Sequence, residues 1–209
     1  VFLLNKYSID NFQKPITNIV YMGMGEPLLN MKQVLKSIHY IVSKNGMGMS
    51  PKRITVSTAG ISKMIKKLAD HNPKFNLALS LHSANNNKRT ELMDINNSSN
   101  NLKSLSEALL YFYNKTKIKP TYEYILLNGF NDSLEDAKEL VNFCNKIPSK
   151  VNLIEYNKVK NVPYEKSTKK STELFLHILA KNNVLVRLRK SRGEDIGAAC
   201  GQLATQNSK

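Results

Sequence analysis

Short apolar runs recur along the chain, and most lead through polar residues into a segment of helical period. "IVYM" (Ile19–Met22) precedes Met31–Val42, where Met31, Val34, Leu35, Ile38, Ile41 and Val42 share one face. "RITVST" (Arg53–Thr58) precedes a helix with Ile61, Met64, Ile65, Leu68 and Ala69 inward. "LALSLH" (Leu77–His82) leads through an Asn-rich loop to a helix near Leu102–Lys115. "YEYILL" (Tyr122–Leu127) leads to a helix that Ser133 caps, with Asp136 completing a capping-box pattern. "VNLIEY" (Val151–Tyr156) leads to a helix near Ser171–Lys181, and "VLVRLRK" (Val184–Lys190) closes the series. Such alternation predicts an α/β fold of parallel βαβ units, wound as an open doubly wound sheet or as a barrel.

Both windings place ligand-binding groups at the carboxyl ends of strands. In this chain those ends carry Gly23–Glu26, Ser57–Thr58, Ser80–His82, Asn128 and Asn157. In "GMGEP", Gly23 and Gly25 let the backbone approach a ligand, and Glu26 can accept two hydrogen bonds from an ammonium group. Pro27 suits the first turn of the following helix. The plainer alternative is a tight turn with a solvated Glu. Ser57 alternatively caps the next helix, and His82 is alternatively a loop histidine with its partners satisfied. Cys144 lies on the apolar face of its helix with Leu140, Val141 and Ile147 and is expected to fill core. Cys200, in "RGEDIGAACGQLA", reads equally as packed small-residue chain or as a reactive thiol.

The chain carries 31 Lys plus Arg against 16 Asp plus Glu, a net charge of +15. That surplus favours an anionic partner, nucleic acid or an acidic membrane face, over lysines that merely solubilise helices. From Lys158 to Arg192 there are ten basic residues and two acids, Glu165 and Glu173, which argues for a contact surface. Two cysteines give no disulfide framework and point to a reducing cytoplasm. No apolar run approaches the roughly 20 residues of a membrane helix, and the amino-terminal segment is too short and polar for a signal peptide. The first residue is Val1, so further sequence is expected upstream.

Six stretches, "ITNIVYMGMGEPLLN", "KRITVSTAG", "LALSLHS", "TYEYILLNGFNDS", "VNLIEYN" and "RKSRGEDIGAACGQLA", together resemble the RlmN-type radical S-adenosylmethionine (SAM) methyltransferases of large-subunit rRNA and tRNA. The resemblance implies a partial (βα)6 TIM-like radical SAM barrel, with residues 15–157 as βα units and 158–209 as a basic carboxyl-terminal extension. It implies SAM binding by Gly25, Glu26, Ser57, Ser80, Leu81, His82 and Asn157, with Glu26 facing the ammonium of the cofactor. It further implies that Cys200 accepts a methyl group destined for carbon 2 of adenine. The family holds a [4Fe–4S] cluster on a CxxxCxxC motif that this chain lacks, so no metal ligand is assigned here. The first strand and the cluster loop are expected upstream or on a separate amino-terminal half. The chain alone is then expected to be catalytically inactive and marginally stable. The rival reading is a remnant that acts only as a basic RNA-binding module.

Overall fold

Six strands, β1 (Ile19–Tyr21), β2 (Ile54–Thr58), β3 (Asn76–Ser80), β4 (Thr121–Leu126), β5 (Lys150–Glu155) and β6 (Leu185–Arg189), form one sheet in the computed structural model, which describes residues 1–159 and 162–189. Neighbouring strands are parallel, and their order in the sheet follows the chain from β1 to β6. A doubly wound sheet reverses its order at an internal switch point. The uninterrupted order therefore selects the second winding, a partial barrel left open between β1 and β6.

Alternation along each strand separates a core face from a chemical face. In β2, Ile54, Val56 and Thr58 are buried, whereas Thr55 and Ser57 are partly open. The buried set packs under helices α3 (Ser62–Asp70), α5 (Leu102–Thr116), α6 (Leu134–Cys144) and α7 (Lys169–Lys181) through Ile65, Leu68, Leu105, Leu109, Phe112, Leu140, Phe175 and Leu179. Tyr122 meets Phe143 edge-on with ring centroids 5.3 Å apart, and Tyr124 meets Phe175 at 5.4 Å. Each such side chain contributes about 1.5–3 kcal/mol when fully buried, so this outer layer dominates the stability. The opposite face is polar. Thr55, Asn76, Thr121, Glu123, Asn152, Arg187 and Arg189 line a cavity of about 690 Å³. There the buried Glu123 accepts a hydrogen bond from Asn152 Nδ2 at 2.8 Å and pairs with Arg189 Nη1 at 3.4 Å.

Most predicted elements are present. Helix α2 (Met31–Val42) has the expected bounds, and Ser133 and Asp136 form the predicted capping box on α6. Three features differ. Pro27 lies in a turn before α2, not in its first turn: Leu29 N–H donates to Glu26 O and Asn30 N–H to Pro27 O, and Asn30 is the N-cap. Helix α1 (Phe2–Phe12) precedes the sheet and buries none of its residues. The Asn-rich stretch expected as a loop contains helix α4 (Asn86–Leu92), because the Asn85 side chain accepts from the N–H groups of Asn87 and Lys88. Helix α7 and strand β6 carry the alternation past residue 157 into the same sheet.

Candidate functional site

Glu26 stands in the turn after β1, and the backbone there needs glycine. Gly25 has φ +91°, a conformation that strains L side chains, and a Cβ at Gly23 or Gly25 would meet only open space. Glu26 itself is half-buried and doubly bonded. Its Oε1 accepts from Leu28 N–H at 3.0 Å and its Oε2 from Ala59 N–H at 2.7 Å, just past β2. The carboxylate is thus not a solvated turn residue. It joins two strand ends, and each oxygen keeps a second lone pair for a ligand.

The tips of β2 and β3 add hydroxyls and an imidazole. Ser57 does not cap α3, whose N-cap is Ile61 without a side-chain bond. Both Ser57 and Ser80 face the open side of their strands. Leu81 is fully buried, so its side chain belongs to the core, and its N–H donates to Glu123 O at 3.0 Å. His82 adopts φ +56° and donates its own N–H to the same carbonyl at 3.2 Å. The His82 carbonyl accepts from Asn131 Nδ2 at 2.7 Å, and its Nδ1 accepts from Ile125 N–H at 3.3 Å. With Nδ1 as acceptor, the ring proton belongs on Nε2. Burial, and second the nearby Arg89 cation, push the imidazole down to about 4, so it is neutral at pH 7.

Arg89, on α4, was not singled out from the sequence. It is fully buried, and its guanidinium lies beneath the site: Nη2 donates to Ala59 O at 2.7 Å and to Ser80 O at 3.3 Å, and Nη1 to Asn96 Oδ1 at 2.9 Å. Burial lowers it to about 10, which leaves it charged at neutral pH. No apolar period marks such a residue. The available signal was a lone Arg between an Asn N-cap and a second Asn seven residues on.

Beyond β4, the loop after β5 folds back. Leu127 and Lys166 form an antiparallel bridge, and Asn128 N–H donates to Glu165 O at 2.9 Å. Asn157 is buried just past β5. Direct hydrogen bonds therefore link Glu26, Ala59, Ser80 and Arg89, with His82 on the next residues of the β3 tip, while Asn157 lies two strands away. Cys144 is buried as expected, and desolvation pushes its thiol up to about 11. Cys200 lies outside the described residues.

Among the described residues, the basic run from Lys158 is not one patch. Lys158 and Lys166 pair with Glu165 and Glu155, Lys169 lies on α7 near Glu173, and Arg187 and Arg189 line the cavity. Among the described residues there is no group of three His, Cys, Asp or Glu side chains able to hold a metal. These residues do not fit an iron–sulfur cluster. The chemistry of the donor set is compatible with SAM: an anchored carboxylate with spare lone pairs follows a glycine at which a Cβ would meet nothing within 4 Å, and the neighbouring strand tips carry hydroxyls and a neutral imidazole. No helix among the described residues is long and apolar enough to cross a membrane.

No family model matches the chain. A protein of Christiangramia forsetii named probable dual-specificity RNA methyltransferase RlmN is 50% identical over 206 residues, spanning 96% of this chain and 58% of that protein. One of the same name from Flavobacterium psychrophilum is 49% identical, spanning 99% of this chain and 59% of its own length. The crystal structure of a radical SAM methyltransferase from Sphaerobacter thermophilus superposes with a TM-score of 0.91 at 33% identity, over 96% of this chain and 58% of that one. The chain thus spans less than two thirds of the relatives it matches.

Proposed function

We propose that the chain is part of an RlmN-type radical SAM methyltransferase, as its 50% identity over 206 residues to a protein of that name supports, and that its strand tips form the SAM site of an enzyme that methylates carbon 2 of adenine in large-subunit rRNA and tRNA. The observation that carries this reading is the anchored carboxylate of Glu26, fixed on Leu28 and Ala59 N–H groups directly after Gly25, where a Cβ would meet nothing within 4 Å. SAM, when bound, supplies the methyl group. Glu26 takes its ammonium through the free lone pairs, a charge-assisted contact. Ser57 and Ser80 offer hydroxyls, and His82 a neutral Nε2–H donor. Gly25 leaves room for close backbone approach, Leu81 holds the β3 tip through its N–H, and Asn157 bounds the site at β5. Cys200 is the thiol proposed to receive the methyl group before the adenine does.

The described residues offer no ligand set for a [4Fe–4S] cluster. In this reading the cluster's cysteines come from polypeptide outside the 209 residues, either from the same protein or from a partner half, and the chain by itself is inactive. The net charge of +15 supports an RNA substrate and also supports a second reading, a basic RNA-binding module without catalysis.

Calorimetric titration of the 209-residue chain with SAM tests the proposal. Saturable binding that Glu26→Ala abolishes is the expected result. RNA binding that falls with salt in a chain to which SAM does not bind overturns it in favour of the second reading.

A further inference from the structure

Arg89 is a cation buried where no carboxylate among the described residues pairs with it. Burying a guanidinium this way is costly even with three hydrogen bonds, and its Nε–H has no partner among the described residues. Such a cost in a short helix, when an apolar side chain would hold α4 to the sheet more cheaply, calls for a use.

Its contacts indicate one. Arg89 Nη2 donates to Ala59 O, and Ala59 N–H donates to Glu26 Oε2, so the guanidinium and the carboxylate hold Ala59 from its two sides. The same nitrogen reaches Ser80 O and thus couples the tips of β2 and β3. The next residue, Gly60, has φ +106°, and a Cβ there would lie 3.1 Å from Arg89 Nη2 and 3.0 Å from Leu79 Cδ1. The backbone turn is built around the guanidinium.

We propose that Arg89 is the positioning residue of this site: a cation on the far side of Ala59 from Glu26 that clamps the tips of β2 and β3 and, through Ala59, fixes the carboxylate that meets the ammonium of SAM. The proposal rests on the reading of these tips as a SAM site. It requires the planar fork of arginine, since Nη2 reaches the two carbonyls while Nη1 reaches Asn96 Oδ1, and a lysine ammonium is a point charge on one nitrogen that does not span all three acceptors.

Two substitutions separate clamp from charge. Arg89→Lys keeps the charge and loses the fork; Arg89→Gln loses the charge. Each is predicted to weaken SAM binding by about tenfold or more in calorimetry of the 209-residue chain, and to shift the Ala59 amide resonance as its grip on Glu26 loosens. The His82 ring supplies a readout that a merely structural role would not move. Its Nδ1 accepts from Ile125 N–H, the His82 backbone binds the Asn131 amide and the Glu123 carbonyl, and the one charged group acting on the ring is Arg89. By NMR its titration should stay low in Arg89→Lys and rise in Arg89→Gln.

A folded Arg89→Lys chain that binds SAM as tightly as wild type overturns the proposal. If wild type binds no SAM, the site reading fails, and the Ala59 amide judges Arg89 separately: an unshifted amide in either variant overturns it. If neither variant folds, the wild-type Arg89 Nε–H resonance decides. It must shift on saturation with SAM, and an unchanged resonance refutes the clamp.

Discussion

Glu26 Oε2 accepts the Ala59 N–H at 2.7 Å, so a carboxylate from the turn after β1 is anchored on the residue following β2. With Leu28 N–H on Oε1, both oxygens are fixed before any ligand arrives, which lowers the ordering cost of binding. Glu26→Gln replaces one acceptor by an NH2 group facing a backbone N–H. It should cost about 1–3 kcal/mol in urea unfolding and remove measurable SAM binding. A variant as stable as wild type would show that the two N–H groups find other partners.

Asn96 is the other hub of the buried network. Its Oδ1 accepts from Arg89 Nη1, and its Nδ2 donates to Asn86 O at 3.0 Å and Thr90 Oγ1 at 2.8 Å. Asn96→Ala deprives a buried cation of one acceptor and should cost about 2–4 kcal/mol. Asn96→Asp keeps the acceptor and adds a counter-charge, and its loss should be smaller despite the missing amide donors. Urea unfolding of both variants checks the order; an Ala variant equal to or milder than the Asp variant refutes it.

The sheet was legible in the sequence because a parallel strand covered by helices must be apolar on its outer face, and Ile54, Val56, Leu77 and Leu79 announce it. Cys144 was legible for the same reason, from its stripe with Leu140 and Val141. Helix α4 was not. It is short, begins on an Asn cap, and is anchored by a buried guanidinium where a periodic apolar stripe would be looked for. Of the candidate site, glycines and a carboxylate after a strand marked Gly25 and Glu26 in the sequence, but nothing local showed that the Ala59 N–H would hold that carboxylate. Neither did the run of basic residues show its dispersal, since its described members lie on a loop (Lys158, Lys166), an outer helix (Lys169) and an inner sheet face (Arg187, Arg189). Pro27 misled because the turn ahead of α2 uses its carbonyl as an acceptor and delays the helix to Met31.

Cys144 should be chemically silent. Its thiol is buried on α6 and pushed up to about 11 by desolvation, so almost no thiolate exists at pH 8. In a Cys200→Ser chain, which isolates this thiol, a disulfide reagent should react only after denaturant unfolds the protein. Stoichiometric reaction under native conditions within minutes would show that the α6 packing opens readily.

His82 makes stability depend on pH in a stated window. Its folded value of about 4 lies below the ordinary 6.5, so between those values the unfolded chain binds a proton that the folded chain refuses. Above pH 6.5 the ring is neutral in both states and contributes no pH dependence. As pH falls through 6.5 toward 4 the folded state loses ground, by up to about 3 kcal/mol if the whole difference is realised. Carboxylates titrate near the lower end, so the comparison must be with His82→Asn, which tolerates the left-handed φ of +56° and cannot titrate. Urea unfolding at pH 7 and at pH 5 should give a larger loss for wild type than for His82→Asn. Equal losses would mean that the ring protonates in place, with the Ile125 N–H contact to Nδ1 given up at no cost.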